Sequence, residues 1–350
     1  MYYRELTEPP VQIIENKKAN FGTYKDVCQK LDIKGMFAPY AGVPVPAFIS
    51  NLRIKSRLNY IFNVEKYIGL TEFFDFKIFG FSNLIIFDKE SGKKYNYFNI
   101  MGPKRRYIPT NTDKGSCISY KKTRYIKVSW GRNHQHLALR FNVHGDSLRP
   151  DIKGHFFSPM TAPAHTDALF VNPSPAASRC SATWLTTMNI QGELTFSNGA
   201  SISSEGLAAM MINRTYYKLR TFSTLSWGMG TVKDKNIVFQ LKNSNMDAAQ
   251  PDKYNDNILI IDGVETALPS VYMTHPFGIN KDWIIQDTES MVDLTFTPIS
   301  MNNRVRNIIA MRFDHTIIYG TYTGVLLDKD GNKVVLKNFP GIINRNTLRL

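Results

Sequence analysis

NLIIFDKESGKKYNYF (Asn83–Phe98) and TGVLLDKDGNKVVLKNF (Thr323–Phe339) follow one plan. Each carries an apolar run into Asp-Lys, turns at a Gly with Lys close behind, and leaves on a second apolar run. This is the signature of a β-hairpin. Gly supplies a positive φ at the turn, and Asp and Lys keep the turn in water. One in each half of the chain predicts that both halves are β-meanders.

The pattern extends outward from both copies. From about Lys66 onward, short runs such as FFDFKIFGF, RYIKVSW, HLALRFNV, NIVFQL and VDLTFTPI alternate apolar and polar residues. GRNH, KDKN and IDGV punctuate them as turns. Short strands at this rhythm point to antiparallel barrels. Helical signal is confined to YKDVCQKLDIKGMF and PAFISNLRIKSRLNYIF near the start. GHFFSPMTAPAHTDALFVNPSPAASRC carries four prolines and little pattern, and marks a domain junction. The expectation is an all-β protein with short N-terminal helices and two tandem β-barrel domains. Residues 1–160 would form a basic β domain with a helical lead-in, and residues 161–350 a C-terminal β domain holding a ligand site.

Composition bounds the function. The chain has 350 residues, 43% hydrophobic and 12% aromatic, enough for a sizeable core. No apolar run reaches the ~18 residues of a spanning helix, and the first residues lack the order of a secretory signal. Three cysteines, Cys28, Cys117 and Cys180, make neither a CxxC pair nor a disulfide framework, so a reducing cytoplasm is expected. Cys180 reads better as a buried thiol than as a nucleophile. Net charge is +14, with 26 Lys and Arg against 13 Asp and Glu in residues 1–160 and 17 against 16 thereafter. Lys104-Arg105-Arg106 and Lys121 to Lys127 can dock on an anionic surface or simply be solvated strand faces. No specific nucleic-acid signature accompanies them.

No nucleophile elbow, phosphate loop, dinucleotide-binding glycine pattern or HExxH motif is present, so neither cofactor nor metal is expected. Gly228-Met-Gly230 is a lone GxG. His134 and His136 would share a strand face, but GRNH reads as a turn and the pair as an exposed hairpin; His144 and Asp146 follow.

The second half also carries FQLKNSNMDAAQPDKYNDNILIIDGVETALPSVYM, then VDLTFTPI, then FDHTIIYGTYTGVLLDKDGNKVVLKNFPGI. Through Phe239, Asp247, Asn257, Asp262-Gly263, Phe296-Thr297-Pro298, His315, Gly320 and Gly324 these resemble the family called domain of unknown function 2804. The resemblance is strong over residues 230–345 and looser in the first half, near Lys55. It implies two lipocalin-like barrels, as in the carotenoid hydratases, and no established activity. The chain departs from the family's Asp-Trp-Gly-Arg-Gly-x-Trp-Pro stretch. Here MMINRTYYKLRTFSTLSWG places Asn213 near the acid, Tyr216 near the arginine and Trp227 at the strand end. The family's upstream Asn-His-Lys-x-Asn-Cys is reduced to SRC, ending at Cys180.

These residues suggest a small-molecule site. Asp247 and His315 are the candidates for proton transfer, because a carboxylate or an imidazole can serve as acid or base near neutrality. Asn213, Tyr216, Trp227, Asp256 and Asn257 would shape the pocket, since aromatic and amide groups hold sugar-like or lipid-like ligands. Turn residues and ordinary strand packing account for the same residues without function. The expectation is a binding protein, or an acid–base enzyme of hydratase, lyase or glycosidase type, with the ligand in a barrel cavity. The alternative is a non-catalytic scaffold docked on an anionic surface through its basic half.

Overall fold

Asp88 and Asp328 do the same work at the tips of the two quoted hairpins. Asp88 Oδ1 accepts from the backbone N–H groups of Glu90 and Ser91, and Asp328 Oδ1 from those of Asp330 and Asn332. Gly92 and Gly331 take φ of 68° and 81°. The first hairpin pairs Gly80–Asp88 with Lys94–Met101, and the second pairs Met311–Leu327 with Lys333–Arg349. The structure, a computed structural model, describes residues 2–40, 45–77, 79–102, 107–132, 136–158, 165–308 and 311–349. His134 and Lys104-Arg105-Arg106 lie outside these.

The chain is all β, with one helix among the described residues, Ala47–Leu52. The first helical candidate, residues 24–37, contains none. In the second, only the Ala-Phe-Ile-Ser-Asn-Leu stretch is helical. Ile54–Val64, with Lys55 and Arg57, is a strand, because β-branched and aromatic residues at every second place bury better on a sheet.

Two sheets make up the body. In the first, a four-stranded meander over residues 54–101 and another over 114–158 are joined by a long hairpin, Cys180–Phe196 with Ser201–Tyr216. Its first arm pairs with Ile152–Ser158 and its second with Ile54–Val64. Thr166–Pro173 and Gly22–Lys25 branch off the same hairpin. The result is a nearly closed barrel. The second sheet has nine strands, with Arg220–Val232 paired to Lys333–Arg349 at its centre, and forms a half-barrel. The two barrel-like bodies therefore divide between Tyr216 and Arg220, not at residue 160. The described parts of the proline-rich stretch, residues 154–158 and 165–180, belong to the first body, because the hairpin that joins its meanders comes later in the chain.

The inside of the first barrel is filled. Trp130, Trp184, Phe62, Phe156 and Tyr97 are all 2% exposed or less, and the Phe62 and Phe156 rings lie 4.7 Å apart. The inner face of the second sheet packs Phe239, Trp283, Phe296 and Tyr322. That sheet bends along a row of facing glycines, Gly228, Gly341 and Gly320, beside a bulge at Pro298. A Cβ on Gly341 would sit 2.2 Å from the Trp227 carbonyl oxygen, and one on Gly320 2.2 Å from that of Thr297.

The outer faces of the two bodies meet. Ile61, Leu70, Ile85 and Met211 of the first pack on Leu225, Trp227, Ile317, Tyr319 and Ile342 of the second. The first residues clasp both bodies. Tyr2 donates to Asp252 O, Arg4 to Asn255 O and Asn257 O, and Thr7 pairs with Tyr24 of the barrel. No helix among the described residues is long and apolar enough to cross a membrane.

Candidate functional site

The face that joins the bodies is apolar at one end and polar at the other. Strand alternation sets this up. In RLNYIF, Arg57 and Asn59 share a face with Ile61, and in GLTEFF, Glu72 shares one with Leu70 and Phe74. On the second sheet, His315 lies between Arg304 and Asn346, its cross-strand neighbours. Asn344 is flanked in the same way by Ile317 and Leu225, with Lys242 beyond Leu225.

Glu72 is the centre of the first polar group. It is wholly buried, and four side chains converge on its carboxylate. Arg57 donates to Oε1 at 2.6 Å and Asn344 Nδ2 to the same oxygen at 2.6 Å. Asn83 Nδ2 reaches Oε2 at 3.5 Å. His315 Nε2 lies 3.0 Å from Oε2, too far out of line to count as a hydrogen bond. In the amide orientation that satisfies both groups, Asn346 Oδ1 accepts from Arg57 at 2.9 and 3.0 Å. Burial alone would raise the carboxyl's proton affinity, but His315 and Arg57 outweigh it and hold Glu72 ionised far below the usual carboxylate range. Beside Glu72, the Asn59 amide is buried with neither of its polar atoms bonded.

His315 is packed between rings. Phe313 stacks on it at 5.4 Å between centroids and Phe81 lies at 6.0 Å. Its Nδ1 makes no hydrogen bond among the described residues. Phe81 and Phe313 belong to a cluster with Phe74, Phe76, Phe79 and Phe98. Between these rings opens a small apolar pocket of about 20 Å³, bounded also by Ile100 and Arg306. This is room for little more than one water molecule.

A second polar group lies on the same face, centred on Asp256. Its carboxylate accepts from Asn172 at 2.5 Å, Thr183 at 3.0 Å and Lys242 at 2.8 Å. Lys242 also stands 3.9 Å from Asp247. Burial pushes the Asp247 carboxyl up to about 6, although Lys242 opposes this. For Lys242, burial would lower proton affinity, but Asp256 and Asp247 more than offset it, and the affinity is raised. Asn213 donates to Thr183 at 2.8 Å, and Trp227 Nε1 to Gln240, which itself donates to Asp256 O. Tyr217 lies in the fields of both Arg57 and Lys242. Burial raises its proton affinity more than the two cations lower it.

Of the sequence candidates, Asp247, Asp256, Asn213 and Trp227 thus join one network. His315 belongs to the other. Tyr216 joins neither, because it points into the first barrel and donates to Ile33 O at 3.0 Å. It lies three residues from Asn213 on one strand and so faces the opposite side. Asn257 braces loops, donating to Pro269 O and accepting from Lys242 N. Cys180 is buried, and burial pushes its thiol well up, so it is a core residue. His144 pairs with Asp151 at an exposed turn. Both polar groups lie between the bodies, not inside a barrel. Arg57, Glu72 and Asn344 are absent from the sequence reading. Their signal was a charge or amide at an inward place of an otherwise apolar strand, and it becomes legible only when the partner strand is known.

The chain matches the model of the family described as domain of unknown function, DUF2804, over residues 11–350, and it belongs to that family. No curated protein matches it. Among solved structures it is similar to a putative AttH from Nitrosomonas europaea, with 11% identity, a TM-score of 0.50, and 89% of this chain and 98% of that one covered. It is also similar to kievitone hydratase from Nectria haematococca, with 8% identity, a TM-score of 0.42, and 84% and 88% covered. At 11% identity the likeness to the first of these shows the fold alone.

Proposed function

We propose that this member of the DUF2804 family binds a small, largely apolar molecule in the cleft between its two β bodies and moves protons on it through His315. The observation that carries this reading is the His315–Glu72 pair. A buried carboxylate kept ionised by His315 and Arg57 stands 3.0 Å from an imidazole that packs against Phe81 and Phe313, two rings of the apolar pocket, and that makes no hydrogen bond among the described residues. An imidazole beside a buried, ionised carboxylate can serve as a general acid or base. The ring faces of Phe81, Phe98 and Phe313 suit an apolar body better than a sugar. Hydration and elimination are the reactions that such a site serves. Asp247 is a second proton carrier, 3.9 Å from Lys242, which lies two strands across from Asn344. The three buried free thiols suit the cytoplasm.

The test uses exchange with heavy water. The protein is incubated in D2O with a panel of unsaturated and hydroxylated hydrophobic compounds, and each compound is analysed by mass spectrometry. Deuterium incorporation that is lost in His315→Gln supports the reading. Compounds that bind, by thermal shift, without exchanging would make the protein a binding protein only.

A further inference from the structure

Two arginines next to His315 have no acidic partner. Arg304 is the cross-strand neighbour of His315, and Arg306 that of Phe313, on the face turned to the first barrel. Both guanidinium groups lie over the Phe98 ring, at 5.4 and 5.0 Å from its centroid. Arg124 donates to Phe98 O and Arg149 to Asn96 O on the same strand of the barrel. Arg149 is paired with Asp146. Neither Arg304 nor Arg306 has a carboxylate within ion-pair distance among the described residues. Burial lowers the proton affinity of Arg304, and the nearby charges on it are all cationic: Arg306, Arg149 and Arg124. Folding has gathered like charges at the rim of an apolar pocket, an arrangement that costs free energy until an anion arrives.

We propose that the ligand of this cleft is an anionic amphiphile, a free carboxylic acid whose carboxylate sits on Arg304 and Arg306 and whose apolar body lies along Phe98, Phe81 and Phe313. A guanidinium matches a carboxylate with two parallel hydrogen bonds. The pocket supplies ring faces and the Ile100 side chain for the rest, and Arg306 lines it directly. The pocket is small, and two of its lining rings, Phe79 and Phe98, are only half-buried.

This inference rests on the cleft being the ligand site, but its test reads binding alone. Isothermal titration is run with decanoate, decan-1-ol and acetate as probes, on the wild type and on the double variant Arg304→Gln/Arg306→Gln. Both positions face the rim, and circular dichroism checks that the variant is folded. Decanoate is expected to bind at least about tenfold more tightly than decanol, since charge-assisted hydrogen bonds supply that much. Acetate, lacking the body, should bind far more weakly. The double variant should bring decanoate down to the level of decanol. Equal affinity for acid and alcohol overturns the proposal, as does an acid preference that survives in the variant. Because no turnover is needed, loss of proton exchange in the His315 experiment leaves this result standing, and the reverse also holds.

Discussion

Glu72 and His315, contributed by opposite halves of the chain, meet at 3.0 Å across the seam between the two bodies. With Asn344, which bonds the same carboxylate, His315 places polar ties beside the apolar part of the interface. One carboxylate therefore ties Arg57 of the first body to Asn344 of the second and stands against the imidazole.

Replacing Glu72 with Gln should be costly. Arg57 would lose its buried charge partner, and breaking a buried ion pair from one side costs about 3–5 kcal/mol. The pH dependence has a definite sign. The carboxyl is depressed in the folded state, so its contribution is full above the unfolded value of 4.5 and is lost as pH falls below it. Urea unfolding of wild type and variant from pH 7 to pH 3 should show the gap narrowing only below about 4.5. A gap independent of pH would show that the pairing contributes no stability.

Asp247→Asn should act with the opposite sign. The carboxyl is raised to about 6 from 3.8, so the folded protein holds its proton more tightly and stability falls as pH rises through that window. Asn resembles the protonated form, and Lys242 keeps Asp256 as its partner. A shift of this size is worth up to ~3 kcal/mol. With the side chain 26% exposed, a gain of about 1 kcal/mol at pH 8 is the reasonable expectation. The gain should vanish at pH 4. A variant less stable than wild type at pH 8 would mean that the Ser244 N–H bond to Asp247 dominates.

Gly320→Ala should damage the second sheet specifically. Its Cβ would stand 2.2 Å from a backbone oxygen and 2.7 Å from the Phe296 ring, and neither can retreat without flattening the bend. A loss of at least about 2 kcal/mol is expected from thermal unfolding. Gly102→Ala, where a Cβ meets nothing within 4 Å, is the control and should be close to neutral.

Arg4→Ala should loosen the clasp. Arg4 donates to Asn255 O, Asn257 O and Leu268 O, and removing it leaves those carbonyls short of a donor, at about 1–3 kcal/mol. Hydrogen exchange by mass spectrometry should quicken in the 255–268 segment and stay unchanged in Cys180–Phe196. Uniform quickening would indicate that the clasp supports the whole fold instead.

Local patterns settled the local structure. Period-2 alternation, and Asp and Gly at the turns, were enough to read the meanders and both quoted hairpins, because a hairpin is stabilised by residues close in sequence. The family was likewise legible in strings such as VDLTFTPI and the stretch around His315. Which distant strands pair was not. The hairpin from Cys180 to Tyr216 joins two meanders that precede it, so the boundary between bodies moved from residue 160 to just past Tyr216. Alternation says that Arg57, Glu72, His315 and Asn344 each lie on one face of a strand, but it cannot say what that face meets. Charged and amide groups there come together only because two sheets pack outer face to outer face. Burial then makes each unpaired charge expensive, and that cost brings together residues that nothing in their own neighbourhoods connects.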